Sequence, residues 1–311
     1  MKKFAGKHFM VASVLSAALF IGMSAGSYVH AEPLAQNTTV AVNVQVQQDV
    51  KGSVDWTKGA ESDITAIGTG LPPANMGARG TALARRAAIV DAYRNLAETI
   101  HGVQVDSETV MQDLAIQSDT VRASVSALVK GAKIIEEGTN PDGSYYVKMR
   151  IPLYGATDSL ASVAIPEIQK SAAPEPLPQV AKTNLPKNEV KEVKSAGYTG
   201  VIVDAYGLGL EATFSPVIYD TNGRAIYGMK NINADYAISK GMVEYAAQRD
   251  AAVANSRAGS NPLVIKAVEV KGGRNSANRV NVVVSVDDGD KILLANEKSG
   301  MLQNCAVVFV K

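Results

Sequence analysis

"GTALARRAAIVDAYRNLAETIHGVQV", residues 80–105, is the most regular stretch of the chain, and the reading of its neighbours depends on it. Ala82, Ile89, Ala92, Tyr93, Leu96 and Ile100 recur at steps of three and four, with Arg86, Arg94, Asn95 and Glu98 between them. That period predicts one long amphipathic helix of roughly 20 residues, about 30 Å long. Gly102 is placed to end it in a left-handed conformation.

The flanking segments supply strands for this helix to cover. "SDITAIGTG", residues 62–70, alternates as a strand covered on both faces, and Pro72-Pro73 ends it. "VQVDSETVMQDL" reads as a strand and loop. "SDTVRASVSALVKG" reads as a second helix, with Ser118 as N-cap, Val121, Val125, Leu128 and Val129 as its buried stripe, and Gly131 at its end. "AKIIEEGTNPDGSYYVKMRIPL" is a pair of strands joined through Asn140-Pro141-Asp142-Gly143, a hairpin signal. The order predicts an α+β domain over 55–154, two helices lying on one face of a sheet.

From 156 to 196, Pro166, Pro174, Pro176, Pro178 and Pro186 recur among Ala, Lys, Glu and Val, which predicts a flexible linker with room for a helical turn or two at its start. A second α+β domain follows over 197–311. Its strands are "GVIVDAYG", "FSPVIYD", "RAIYGMK", "LVIKAVEVK", "RVNVVVSV" and "AVVFV", with Asn222-Gly223 as a turn. Its helices are "ISKGMVEYAAQRDAAVANSR", with Met242, Ala246, Ala247, Ala251 and Ala254 on one side, and a helix beginning at "DDGD".

The start of the chain points to export. Lys2, Lys3 and Lys7 precede an apolar run from Phe9 to Met23, and Val29-His30-Ala31 offers small residues for cleavage, so residues 1–31 read as a Sec signal peptide. Cleavage would leave no integral membrane segment and would take the formal charge from +1 to −2 through the loss of three lysines. A near-neutral chain lacks the clustered basic charge that nucleic-acid binding requires. The expected location is extracytoplasmic, in the periplasm or cell envelope. Cys305 is the single cysteine, so no internal disulfide is possible and no acylated cysteine lies near the cleavage site. Cys305 reads as a buried small apolar residue beside the last strand.

Catalytic chemistry finds few residues to build on. His8 and His30 fall in the signal, leaving His101, which reads as a helix-end residue rather than a general base. One His and one Cys cannot form a structural zinc site. "GTGLPP" and "YGLGLEATF" lack the third glycine and following helix of a dinucleotide fingerprint, and no P-loop occurs. Glu136-Glu137 reads as solvated charge, Asp287, Asp288 and Asp290 as acids at a helix start, and Asp220–Arg224 as a hairpin turn, with calcium as the alternative for the last two. Nothing selects a carboxylate pair for glycoside hydrolysis. Arg79, Arg85 and Arg86 form a small basic cluster at the front of the long helix. The expectation is a protein that is not an enzyme and needs no cofactor or metal.

Gly68, Gly70, "ARRAAIVDAYRNLAETIHGVQV", "TVMQDLAIQSD", "VKGAKI" and "DGSYYVKMRIPL" together make residues 55–154 resemble the twenty-kilodalton bacterial envelope lipoprotein family and the N-terminal module of flagellar assembly protein T. The resemblance implies an exported envelope module without catalytic residues, which in some members serves ring assembly around the flagellar motor. The present chain lacks the lipoproteins' acylated cysteine, and residues from Tyr198 onward carry none of these motifs.

Two functions follow as expectations. The first is action through protein partners or self-association, in a surface or flagellum-associated assembly, with Arg86, Arg94 and Glu98 on the polar side of the long helix facing the partner. The second is a module binding glycan or peptidoglycan, with Tyr206, Tyr219, Tyr227 and Tyr236 as stacking residues.

Overall fold

The computed structural model describes residues 51–172, 174–180, 183–273 and 277–311. The predicted signal peptide, residues 1–31, lies outside the described residues. Strands β1 (Gly52–Asp55), β2 (Asp63–Gly70), β3 (Lys133–Thr139) and β4 (Tyr145–Pro152) form an antiparallel sheet in the order β1-β2-β4-β3. Helix α1 (Gly77–His101) lies across β2 and β4. Small residues set how closely it lies. A methyl group placed on Gly68 would stand 2.1 Å from the backbone N of Ala92 and 2.2 Å from the carbonyl of Ala88, and one on Gly70 2.1 Å from the carbonyl of Ala84. The buried row is Gly80, Ala84, Ala88, Ala92, Leu96 and Ile100, so the expected face is rotated: Ala82 is exposed and Asn95 is buried. Helix and strand meet backbone to backbone, which only a four-residue row of Gly and Ala permits.

Asn95 is buried for a reason that its polarity conceals. β1 pairs with β2 only as far as Ala66, with one more bond from Ile67 N–H to the Lys51 carbonyl at 2.7 Å, which leaves the Ile67 carbonyl and Thr69 N–H short of a neighbouring strand. Helix side chains satisfy it instead: Asn95 Nδ2 donates to the Ile67 carbonyl at 2.7 Å and Asp91 Oδ2 accepts from Thr69 N–H at 3.0 Å. The outer face of this sheet is open, with Ile67 41% exposed, against the expectation of a strand covered on both sides. An antiparallel sheet tolerates one wet face.

"VMQDL", expected as strand and loop, forms α2 (Met111–Gln117) after a single bridge between Gln104 and Val110. α3 (Asp119–Lys130) starts at Ser118, whose Oγ accepts from Val121 N–H as predicted, and it packs chiefly on α1, α2 and α4 rather than on the sheet. Gly102 and Gly131 end their helices at φ −80° and −85°, without the left-handed backbone expected at Gly102.

The segment 156–196, expected as a flexible linker, is built into the fold as α4 (Leu160–Ser171) and α5 (Lys187–Ser195). Leu160, Ala161, Ala164 and Ile165 are fully buried, and Ile168 nearly so. Their one-, three- and four-residue spacing is a helical stripe that Pro166 does not interrupt. Ser159 caps α4 by accepting from Ser162 N–H at 3.1 Å.

Two further four-stranded sheets follow. β5 (Gly200–Asp204), β8 (Glu244–Ala246), β9 (Pro262–Lys266) and β12 (Val307–Val310) form an all-parallel sheet in the order β8-β12-β5-β9. β6 (Ile218–Asp220), β7 (Ala225–Tyr227), β10 (Glu269–Lys271) and β11 (Asn281–Val284) form a mixed sheet in the order β10-β11-β6-β7. α8 (Val286–Ser299) starts at the Ser285 cap and buries Ile292, Leu293 and Leu294. The long helix expected over 238–257 does not form. α6 (Ala234–Lys240) stops at Gly241, whose φ of 83° suits glycine, β8 follows, and α7 (Arg249–Val253) is one turn and a half. "LVIKAVEVK" likewise splits between the two sheets as β9 and β10. In both cases short apolar runs fit helix and strand alike, and sheet pairing decided.

Most buried apolar side chains of both halves belong to one continuous core, and a smaller cluster of Ile202, Ala246, Ala252, Ala258, Val308 and Val310 packs separately in the second half. Trp56 and Tyr154 from the first half meet Phe214 and Tyr245 from the second edge to face, with ring centroids 5.2 to 6.1 Å apart. Cys305 is fully buried in a turn at φ 52°, where burial pushes its thiol above the ordinary range. Arg257 supports that turn, donating to the Cys305 carbonyl at 3.2 Å and to the Gly241 carbonyl at 2.9 Å while pairing with Glu244. A thiol-alkylating reagent is therefore expected to leave Cys305 unmodified in native buffer and to modify it fully in denaturant; rapid native labelling, read by mass spectrometry, would contradict this packing.

Candidate functional site

Two surfaces stand out once the core is subtracted. The first is the outer side of α1. The helix begins beyond the hairpin end of the sheet, so residues 71–79 are all exposed, among them Leu71 at 75% and Met76 at 39%. From there Arg79, Leu83, Arg86, Val90 and Arg94 succeed one another at three- and four-residue steps along one exposed stripe, with Val90 68% exposed. Of the expected partner-facing residues, Arg86 makes no ion pair among the described residues. Arg94 holds Asp91 at 2.8 Å and lies 3.8 Å from Glu98. Arg85 belongs elsewhere: it binds Glu137 of β3 through two nitrogens, at 2.8 and 3.2 Å, and that pairing raises the guanidinium's affinity for its proton.

The second surface is a cleft of about 480 Å³ over one face of the mixed sheet. Tyr219, Val217, Ala225 and Asn281 form its floor, the loop Asp106–Thr109 one wall, and Ala172, Glu175, Pro176 and Pro178 with residues 228–231 the other. Asn281 is 2% exposed, and its Oδ1 accepts from Val217 N–H at 2.9 Å. Its amide nitrogen, the Ser215 hydroxyl and the Tyr219 hydroxyl have no hydrogen-bond partner among the described residues. Lys271 Nζ sits 3.8 Å from the Tyr219 ring centroid, and burial, followed by the nearby Glu108, raises the phenol above its ordinary range. In the wall, Lys230 Nζ pairs with Glu175 at 2.6 Å and Asn231 Nδ2 donates to the Glu175 carbonyl at 2.9 Å.

The four tyrosines expected to act together do not converge. Tyr227 is fully buried and donates to the Met242 carbonyl at 2.6 Å, Tyr206 is 70% exposed beyond β5, and Tyr236 lies on α6 with Lys240 Nζ 5.2 Å from its ring centroid. Only Tyr219 lines the cleft. Ser215, Asn281 and Asp106 were not singled out in the sequence because three remote segments deliver them. The one local sign is an asparagine interrupting the valine run of β11.

The acids considered for calcium are engaged otherwise. Asp220 Oδ1 accepts from Asn222 and Arg224 N–H at 3.0 and 2.9 Å, and Arg224 bridges Asp220 and the buried Asp290 at 2.9 and 2.6 Å. Asp288 bonds the Ser285 cap. Glu136 accepts from the Tyr146 hydroxyl at 2.9 Å. Among the described residues no three His, Cys, Asp or Glu side chains gather as metal ligands, and no helix is long and apolar enough to cross a membrane.

Two family models match the chain, one in each half. None of the curated proteins matches it. Residues 200–311 match the family model of the second domain of Treponema pallidum Tp0624, and residues 72–151 match that of the LPP20 lipoproteins. The sheet and long helix of the first half are therefore similar to the LPP20 lipoproteins, as the motifs around Gly68 and residues 84–105 imply, and the second half is similar to a treponemal domain to which no sequence motif pointed.

Proposed function

We propose that the chain is an exported, non-enzymatic protein of the bacterial cell envelope that acts through protein contacts, with the outer stripe of α1 as the contact surface. The stripe itself carries this reading. Leu83 and Val90 are apolar, exposed and interleaved with Arg79, Arg86 and Arg94, on a helix whose opposite side is fixed to the sheet. Its N-terminal overhang adds Leu71 and Met76. Exposed apolar residues rimmed by charge are the usual composition of a contact site. The match of residues 72–151 to the LPP20 lipoproteins supports an envelope setting, and the resemblance to a flagellar assembly module supports a surface or flagellum-associated assembly.

A photo-crosslinking amino acid at position 83 or 90 tests this in the cell of origin. Adducts with a defined partner, or with a second copy, are expected at these positions and not at Tyr206, which is exposed on the second half. Val90→Asp should remove the adducts while changing stability by less than about 0.5 kcal/mol. An equal yield at position 206, or no adduct at 83 and 90, would refute the stripe as the contact surface.

A further inference from the structure

The floor of the cleft over the mixed sheet is remote in sequence from the α1 stripe and is built differently. Its floor is a sheet face, where side chains rather than an open backbone edge supply the polar groups. Two of those groups are on nearly inaccessible residues: Asn281 is 2% exposed and Ser215 6% exposed. The Val217 N–H fixes the Asn281 amide by its oxygen, which leaves the nitrogen as a donor with no partner among the described residues. The Ser215 hydroxyl is in the same position. Neither atom is among the sealed unpaired groups of the described residues, so both open onto the cleft, where a polar ligand beside the tyrosine ring would find two unengaged hydrogen-bonding groups.

The rest of the lining narrows the ligand. Asp106, Glu108 and Glu175 bring three carboxylates around the opening, against Lys230, which is held by Glu175, and Lys271, whose ammonium lies 3.8 Å from the Tyr219 ring centroid. Acids and lysines are mixed around the opening, so no single-sign field gathers phosphate there. A wholly apolar ligand would strip water from the amides, hydroxyls and carboxylates without replacing their hydrogen bonds. A pyranose fits both demands. Its C–H face packs against an aromatic ring, here Tyr219, which also carries the Lys271 ammonium 3.8 Å from its centroid, and its hydroxyls and acetamido groups pair with amides, hydroxyls, carboxylates and that ammonium. The volume of about 480 Å³ suffices for one or two sugar rings.

We propose that this cleft is a saccharide-binding site for a neutral or amide-bearing glycan, with Tyr219 as the platform and Asn281 and Ser215 as buried hydrogen-bonding groups. The test uses the full exported chain, purified peptidoglycan sacculi as the matrix and chitotetraose as the soluble competitor. Retention on sacculi that chitotetraose reverses is expected. Ser215→Ala and Tyr219→Ser should each weaken it, the latter about tenfold or more. Ala225→Trp, at an exposed position of the floor, should block the cleft and abolish retention without disturbing the core. Tyr206→Ala, outside the cleft, should leave it unchanged. Thermal melts of each variant separate lost binding from lost folding.

Absence of retention by the unaltered chain would overturn the proposal. So would retention that survives Ala225→Trp, or retention reversed by free stem peptide and not by chitotetraose, which would assign the cleft to a peptide. None of these outcomes bears on crosslinking at the α1 stripe.

Discussion

Gly68→Ala is expected to cost about 3 kcal/mol or more, at the upper end of what overpacking does to a well-filled core. The added methyl would stand 2.1 to 2.7 Å from the N and Cα of Ala92 and the carbonyl of Ala88, all of them backbone atoms of the helix interior. No side-chain rotation relieves that overlap. α1 must withdraw from β2, and in doing so it loses the Asn95 bond to the Ile67 carbonyl and the Asp91 bond to Thr69 N–H. Equilibrium urea denaturation of the exported chain measures the effect. Thr65→Ala, on the open face of the same strand, should cost about 1 kcal/mol or less, through its hydroxyl contact with Ser53 at 3.2 Å and the loss of a β-branched side chain. A Gly68→Ala variant as stable as the Thr65 control would mean that helix and sheet do not approach this closely.

The second large effect is expected at Arg224. Asp220 and Asp290 are 1% and 4% exposed at the side chain, and the Arg224 guanidinium lies between them. Hydrogen bonds to both carboxylates raise its proton affinity even though burial works against the charge. Arg224→Ala leaves two buried carboxylates facing a void and should cost about 3 to 5 kcal/mol, because removing one partner of a buried ionic group strands the other. Adding Asp290→Asn to Arg224→Ala removes one stranded charge and should recover part of the loss. If the double variant is less stable than Arg224→Ala by the full cost of an independent substitution, the three side chains are not an interacting unit.

Much of the first half was legible in its sequence because local signals and packing agree there. β2, the hairpin around Asp142-Gly143 and the Ser118 cap all follow from residue-level rules that the fold does not override. The facing of α1 was not legible from polarity alone. Ala84 and Ala88 form its buried row because the strand beneath is glycine, and Asn95 is inside because the neighbouring strand is too short to serve the β2 edge. α4 was hidden by Pro166 and by the proline-rich segment after it, although Leu160, Ala161, Ala164, Ile165 and Ile168 spell a helix. In the second half, runs such as "MVEYAAQ" suit either secondary structure, and the choice was made by β12, more than sixty residues downstream. The cleft could not be assembled from the sequence at all, because Asp106, Ser215 and Asn281 are neighbours only after three segments fold together.

Edge-to-face packing of Trp56 and Tyr154 on Phe214 and Tyr245 has a mechanical consequence. Two modules joined by a slack tether would each bear load separately, and a pull on one would first straighten the tether. Here the rings, together with α4 seated in the shared core, leave no slack to take up. A partner gripping the α1 stripe and a polymer held in the cleft would be connected through a stiff strut, so displacement of one is transmitted directly to the other.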